Sequence, residues 1–600
     1  MKLSYSDYRL LAAFFDYRLF VMNRMKPVII VVAACFAAMG WALPKADSAA
    51  PKVTGIAASV MASDGLPTIA ITTDSELNAQ EKVTAHMKTN GYEGAIGIKL
   101  RGNSSLGFNQ KKYTFETRDD NGKDMDVSLL GLPAHSDWVL LAPYNDVSMV
   151  RDPLAFKLWR DMGHWGPRTV MCELTVDGQY RGIYILSEAI KRGIDRVNIS
   201  KLKKSDISGR EVTGGYLLRI DTFNDDDATF TSKVPGIGEG NMTSQVIWSC
   251  IYPKKKNLQP EQMAYIESYV DTVEQVIQSD DFADPERGYA KYIDVASFVD
   301  YFIHTELSLN ADGYKRSAYF YKEKQHADGT GGKLFAGPVW DYNLAYGNCN
   351  FANANNLEAW CFEGASNNPT PALWQRLLQD PVFRRAVKER YQQLRKGVLS
   401  LDYLYDYIDS HARQVAQAVD HHFQTYPELL VSEERKQQIE QQQKQFEEMQ
   451  KQSSGGGFPG GFPMGGGFPM GGFPEGGGFP GGGFGMGGFP EGGFGMGGGF
   501  QFDAAGMFAA YRVSSYDEEI KVLKKWLADR LAFLDRNIDR FDSDWLPRIQ
   551  PLVEKKMEFP GGGFPGGFPG GGFPGGGFPG GGFPGDGFPG GGFPGGGNNP

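Results

Sequence analysis

The chain has 600 residues, 61 Lys+Arg against 71 Asp+Glu and a formal net charge of −10. That length allows a large core or several domains, and the acidic balance excludes bulk-charge binding to nucleic acid or anionic lipid. Gly, at 78 residues, is far above ordinary usage, and most of the excess sits in two tracts that carry no fold information.

The N-terminus reads as an export segment over 1–42. Arg24 and Lys26 precede the apolar run PVIIVVAACFAAMGWAL, short for a membrane span, and Gly40 and Ala42 suit a signal peptidase. Two other readings stand beside cleavage: a lipid anchor through Cys35, which ends the lipobox-like VAAC, or an uncleaved anchor. Met25 is an alternative start. Removal of 1–42 takes five basic and two acidic residues, leaving 56 against 69, a net of −13. Such a protein suits a basic protein partner. Cys172, Cys250, Cys349 and Cys361 remain. An exported chain permits disulfides, and Cys349 and Cys361 are close enough to pair around a loop. Four free buried thiols is the other reading.

Residues 52–115 read as strands and turns, including PTIAITTD and GAIGIKLRGNSS. KKYTFETRD alternates as a strand. GQYRGIYILSEAI reads as a strand passing into a helix, and GGYLLRID as an apolar strand. Gly236, Gly238 and Gly240 read as a loop. After about residue 258 the pattern turns helical, with PEQMAYIESYVDTVEQVIQS and DVASFVDYFIHTELSLN. A sheet-rich half before a helix-rich half predicts an α+β fold, plausible as two lobes. Residues 433–452 read as an exposed polar helix. A Gly/Phe/Pro tract over 454–501 follows, then a helix opened by a Ser515/Glu518 capping box, with apolar residues from Ile520 to Phe541 at helical spacing. That helix must dock, which makes the tract an insertion. A second tract, 559–600, ends the chain. Neither tract has a period that could face a core, and Gly does not hold every third position as in collagen. They read as spacers, or as regularly spaced Phe contacts for a surface or matrix.

GxxxxGK[ST], HExxH, GxSxG and EF-hand motifs are absent. Four stretches carry chemistry. In residues 98–116 a Gly/Ser/Asn turn precedes Lys111 and Lys112, and such a turn with a following Lys can hold phosphate. Glu188 ends an apolar strand and could orient such a Lys. Asn310 and Asp312 lie in a turn between a helix and the strand SAYFYKE, where an Asp could accept a proton. Asp341 lies inside the apolar run PVWDYN, and a carboxylate taken out of water needs a partner or a cation. Each stretch alone fits a structural role. Their running order, Gly-rich turn, Lys, Glu, turn Asp, strand-end Asp, is that of protein-kinase phosphoryl transfer. A glycoside acid/base pair of Asp312 and Asp341 is a further reading, and it leaves the Lys and Gly-loop elements unexplained.

With RGNSS…KKYTFE, LLAPYNDVSMVRDPLAFKLWRDMG, VDGQYRGIYILSEAIKR, GGYLLRID, NADGYKRSAYFYK and GPVWDYNLAYGN in order, the sequence resembles the CotH kinase family, secreted atypical protein kinases. The likeness covers about 55–452 plus 503–545 and implies one domain over 52–452 continued by 503–545. It implies an atypical protein-kinase-like two-lobed fold, with a sheet-rich N-terminal lobe and a helical C-terminal lobe. It implies ATP with Mg²⁺ (or Mn²⁺) as cofactors and Ser of a protein as acceptor. By motif, Lys112 looks like the phosphate lysine, with Lys111 as its one-residue alternative. Arg101, Ser104 and Ser105 form the loop above it, Glu188 the small-lobe glutamate and Asp312 the catalytic-loop aspartate. Asp341, with Asn343, looks like the metal site, and Trp340 shapes the nucleotide pocket. One departure is Ser317, which stands where standard kinases have a metal-binding Asn. That departure keeps a nucleotide-binding pseudokinase, acting as a surface or matrix protein, as the alternative.

Overall fold

The computed structural model describes residues 65–434 and 513–541, with single positions 437 and 441. The export segment with Cys35, both Gly/Phe/Pro tracts and nearly all of the polar helix expected over 433–452 lie outside the described residues.

Seven strands close a barrel in the order β1-β2-β3-β4-β5-β7-β6. They are β1 (Thr68–Thr73), β2 (Val83–Thr89), β3 (Tyr92–Arg101), β4 (Lys112–Thr117), β5 (Asp137–Leu141), β6 (Thr169–Val176) and β7 (Gln179–Glu188). Neighbours are antiparallel except β1 and β6, whose parallel pairing closes the ring. Period-2 alternation explains the closure. Ile96, Ile98, Tyr113, Phe115, Trp138, Leu140, Leu174, Tyr184 and Leu186 all turn inward and form one buried cluster. Removing every strand edge also removes a site for unwanted pairing.

A second sheet has the order β14-β13-β8-β12-β9. It joins β8 (Tyr216–Ile220), β9 (Ala228–Thr231) and β12 (Ile247–Tyr252) to β13 (Ala318–Lys322) and β14 (Leu334–Ala336). A three-stranded ribbon pairs β10 (Gly236–Gly238) with β11 (Met242–Ser244) and β15 (Thr370–Pro371). The fold is therefore mixed α+β, as expected, but the clean division near residue 258 does not hold, because strands from both sides share a sheet. Gly236–Gly238, expected as loop, is strand. A Cβ on Gly238 would strike the Ala365 carbonyl, so small size is what lets this backbone pair.

The helices are α1 (Arg151–Asp161), α2 (Pro260–Gln278), α3 (Val295–Ser308), α4 (Ala372–Leu377), α5 (Pro381–Arg395), α6 (Leu401–Val415), α7 (Val419–Thr425) and α8 (Tyr516–Ile538). Local rules account for the ends of the long ones. Pro260 opens α2 at its first turn, and Gln259 and Gln262 cap each other. Asp294 caps α3 by accepting from Ser297 N at 2.9 Å. Ser515 caps α8 by accepting from Glu518 N at 3.2 Å, while the Glu518 carboxylate reaches one residue further back, to Ser514 N at 2.9 Å. After Glu188 the chain runs as turns, not the expected helix. All four cysteines are free, so the Cys349–Cys361 disulfide does not form here. Among the described residues no helix is long and apolar enough to cross a membrane.

Candidate active site

The β3–β4 hairpin sets the first half of the site. Arg101 and Lys112 are direct partners in the β3–β4 register. The alternation that sends Tyr113 and Phe115 into the barrel sends Lys112 to the outer face, beside Arg101. Lys112 is nonetheless buried, with Asp341 of the chain after β14 near its ammonium. Between the strands, Ser104–Gly107 form a short 3₁₀ turn in which Ser104 is exposed and Ser105 buried. Gly102 has φ +115°, and a Cβ there would clash with the Ser105 hydroxyl, so the tight turn requires glycine. Lys111 points elsewhere. Its ammonium donates to the Leu106 carbonyl at 2.6 Å and ties down the turn.

The second half is the segment after β14. The expected strand PVWDYN is irregular chain, and Asp341 sits in the left-handed region at φ 63°. Nor is its carboxylate taken out of water, since the side chain is 46% exposed. Burial, expected from the apolar run around it, therefore does not mark Asp341; its company does. Lys112 Nζ lies 3.8 Å from its Oδ1, and Asn343 Nδ2 donates to the same oxygen at 3.1 Å. At 3.8 Å the ion pair is longer than a hydrogen bond. Trp340 stacks on Phe156 of α1 at 5.5 Å, and the Arg101 guanidinium lies 5.2 Å from its centroid. The indole therefore offers Arg101 a cation–π contact that helps orient it. Burial draws the Arg101 pKa down, opposed by Tyr319 and Asp341.

The turn between α3 and β13 brings the third part. Asn310 is buried, and its amide donates to the Asp341 carbonyl at 3.4 Å and accepts from Asp312 N at 3.2 Å. Burial raises the Asp312 pKa, Arg316 lowers it and the charge of Asp341 raises it further. Asp312 Oδ1 is buried without a hydrogen-bond partner, and the nearest cation, Arg316 Nη1, is 3.7 Å away. Ser317, at φ 48°, leads directly into β13.

Glu188 is not the partner of Lys112. It is fully buried and paired with Arg196 and, at 2.7 Å, with Arg168. The β5 register sets Glu188 opposite Trp138, whereas Lys112 lies at the other end of the neighbouring pair of strands. Besides Asp341, a second acid feels the charge of Lys112, and sequence reasoning missed it: Asp152, in the first turn of α1. Burial and the charge of Asp341 push its pKa up to about 7, while Lys112 and the Tyr342 N–H pull it down. That N–H donates to Asp152 Oδ1 at 2.6 Å. The signal was available in the motif MVRDPLAF, but an Asp in a first helical turn reads as ordinary macrodipole complementarity.

Oxygen donors dominate this corner. Besides Asp341 and Asn343, Asn145 offers a buried Oδ1 without a partner, and its amide donates to Asn343 Oδ1 at 3.4 Å. Among the described residues no three His, Cys, Asp or Glu side chains form a cage for an ion. An ion such as Mg²⁺ needs no such cage, because it takes one or two carboxylates and completes its shell with phosphate and water oxygens. The residues present fit that mode.

The site thus sets a barrel-strand lysine against an aspartate from the chain after β14. The CotH kinase protein family model matches residues 98–453, and the chain belongs to that family. Among curated relatives, the chain is 21% identical over 327 residues to the inner spore coat protein H of Bacillus subtilis (strain 168), covering 54% of this chain and 77% of that one.

Proposed function

We propose that this chain is an exported protein kinase that transfers the γ-phosphoryl group of ATP to a Ser or Thr hydroxyl of a protein, with Mg²⁺ or Mn²⁺. The observation that carries this reading is the convergence of Lys112, Asp341 and Asn343 with the unpartnered Asp312 oxygen, from three separate parts of the chain. In this reading the barrel is the small lobe, and the second sheet with its helices is the large lobe. Metal-bound ATP supplies the γ-phosphorus and the screening of triphosphate charge. Lys112 neutralises phosphate oxygens, with Arg101 as a second cation on the same face and the Ser104–Ser105 turn beside them. Asp341 and Asn343 would hold the metal. Asp312 Oδ1 takes the proton of the acceptor hydroxyl as that oxygen bonds to phosphorus, the bond to the β-phosphate oxygen breaks and ADP leaves. Its raised pKa makes Asp312 a better base than an exposed Asp.

The N-terminal export pattern and the spore-coat relative support action outside the cell. Net acidity supports a basic, Ser-rich acceptor. The test is incubation with labelled ATP and Mg²⁺ or Mn²⁺, scoring self-phosphorylation and transfer to a basic Ser-rich protein. Label that disappears in folded Asp341→Ala and Asp312→Ala supports the kinase. Label equal in wild type and Asp341→Ala rejects it, and nucleotide binding without any transfer favours the pseudokinase.

A further inference from the structure

The helix α8 lies beyond the family match and on the far side of the Gly/Phe/Pro stretch, yet its apolar face is part of the main core. Arg530 is fully buried. Its Nε and Nη2 donate to the Glu306 carbonyl of α3 at 2.9 and 2.6 Å, and Nη1 donates to the Ala359 carbonyl at 2.8 Å. The Glu306 carboxylate in turn accepts from Tyr314 OH, Cys361 N and Phe362 N, each at 2.9 Å. Tyr314 belongs to the turn that carries Asp312. One arm therefore runs from Arg530 through Glu306 and Tyr314 to the Asp312 turn.

A second arm leaves the other end of the helix. Glu519 Oε1 accepts from Arg151 Nη1 at 2.7 Å, and Arg151 Nε donates to the Ala345 carbonyl at 3.1 Å, four residues past Asp341. Arg151 also precedes Asp152. Further along α8, Trp526 packs against Tyr346 at 6.1 Å, edge to face, and a Cβ on Gly347 would strike its indole. Both arms are buried, and the guanidinium and carboxylate groups of Arg530, Glu306, Arg151 and Glu519 find partners across elements distant in sequence. Such networks hold geometry more than they add stability.

We propose that α8 is a positioning element of the active site, holding the Asp312 turn through Arg530 and the Asp341 segment through Glu519. The catalytic domain is then incomplete at residue 453, and the Gly/Phe/Pro stretch is an insertion whose two ends are joined to one working unit. This rests on the kinase reading for its effect on turnover, though not for its effect on local order.

Full-length Glu519→Gln, Arg530→Met and Asp535→Asn test it. Asp535 is the control. It lies on the same helix but accepts from Tyr391 and Arg395 of α5, away from the site. Amide hydrogen exchange should quicken over 341–348 in Glu519→Gln and over 310–316 in Arg530→Met, with neither segment moved in Asp535→Asn. For transfer, Glu519→Gln should lose kcat by about tenfold to a hundredfold, with little change in the KM for ATP. Asp535→Asn should keep kcat at a matched loss of melting temperature. If Arg530→Met does not fold, Glu519→Gln alone decides. Unchanged exchange over 341–348 in Glu519→Gln, or an equal fall of kcat in Asp535→Asn, overturns the proposal. Wild-type protein that neither binds nor turns over ATP removes the kinase reading instead, and the exchange result still judges the two arms.

Discussion

Glu188 and Asp341 are both carboxylates at the margins of the same barrel, and they are held in opposite ways. Glu188 is dry and fully matched, with Arg196 and Arg168 both on Oε1 and the Arg168 Nε and backbone N–H donating to Oε2, each at 2.9 Å. Asp341 is half in water, on a left-handed residue, with its lysine at 3.8 Å. A closed set of partners leaves no valence for a ligand. An open set, flanked by a buried acid at Asp152 and an unpartnered oxygen on Asp312, has capacity to spare. The completeness of the pairing, rather than the depth of burial alone, is what distinguishes the two carboxylates, and it is the ground on which Asp341 is proposed as the working one.

Substitutions can break that contrast. The largest effect expected is on transfer. Asp341→Ala and Asp312→Ala should each lower it by about a hundredfold to a thousandfold, the scale seen when a charge-stabilising group is removed. Both should melt within a few degrees of wild type, measured by labelled-ATP transfer beside calorimetric scanning. Glu188→Ala should do the reverse. It leaves Arg196 buried without its anion, which costs about 3–5 kcal/mol of stability, read by denaturant unfolding, while the folded fraction keeps its specific activity. A Glu188 variant that is stable but inactive would erase the distinction.

The neighbouring lysines sharpen it. Lys112→Ala should weaken nucleotide binding by about tenfold or more, as one charge-assisted contact is lost. Lys111→Ala, which frees only the Leu106 carbonyl, should change it far less. Titration of ATP into the two variants compares them directly. The smallest effect concerns Glu274, a closed case outside the site. It accepts from Ser232 Oγ at 2.7 Å and Trp248 Nε1 at 3.1 Å, and burial raises its pKa to about 7. A raised carboxyl pKa stabilises the fold while the group is protonated. That contribution is whole below the unfolded value near 4.5 and is lost as pH rises through about 7. Glu274→Gln should therefore flatten the fall in melting temperature between pH 5 and pH 8, roughly the span of that titration.

What could be read from the sequence follows the range of the forces. The β3–β4 hairpin, the α3–turn–β13 junction and the start of α8 rest on alternation, turn residues and caps within a few positions, and they stand where expected. Lys112 rather than Lys111 faces Asp341 for a local reason too, since period-2 alternation fixes the face. The misreadings were long-range. Nothing near Glu188 in the sequence announces Arg168 and Arg196, and the barrel register that separates Glu188 from Lys112 runs through three strands, β4, β5 and β7. Val339 and Trp340 looked like strand because they are apolar and bulky, but the apolar surface they cover belongs to α1, and a Cβ at Gly337 would run into Trp159. Asp152 went unnoticed because its neighbours in space, Lys112 and Asp341, lie 40 and 189 positions away.

The central claim is that Asp341 and Lys112 together form a metal–nucleotide site. Isothermal titration of ATP with Mg²⁺ into the full-length chain, wild type beside Asp341→Ala, tests it most directly. The account predicts saturable binding by wild type that depends on the divalent ion and is lost or sharply weakened in the folded variant. Binding that is absent from well-folded wild type, or identical with and without the Asp341 carboxylate, would contradict it.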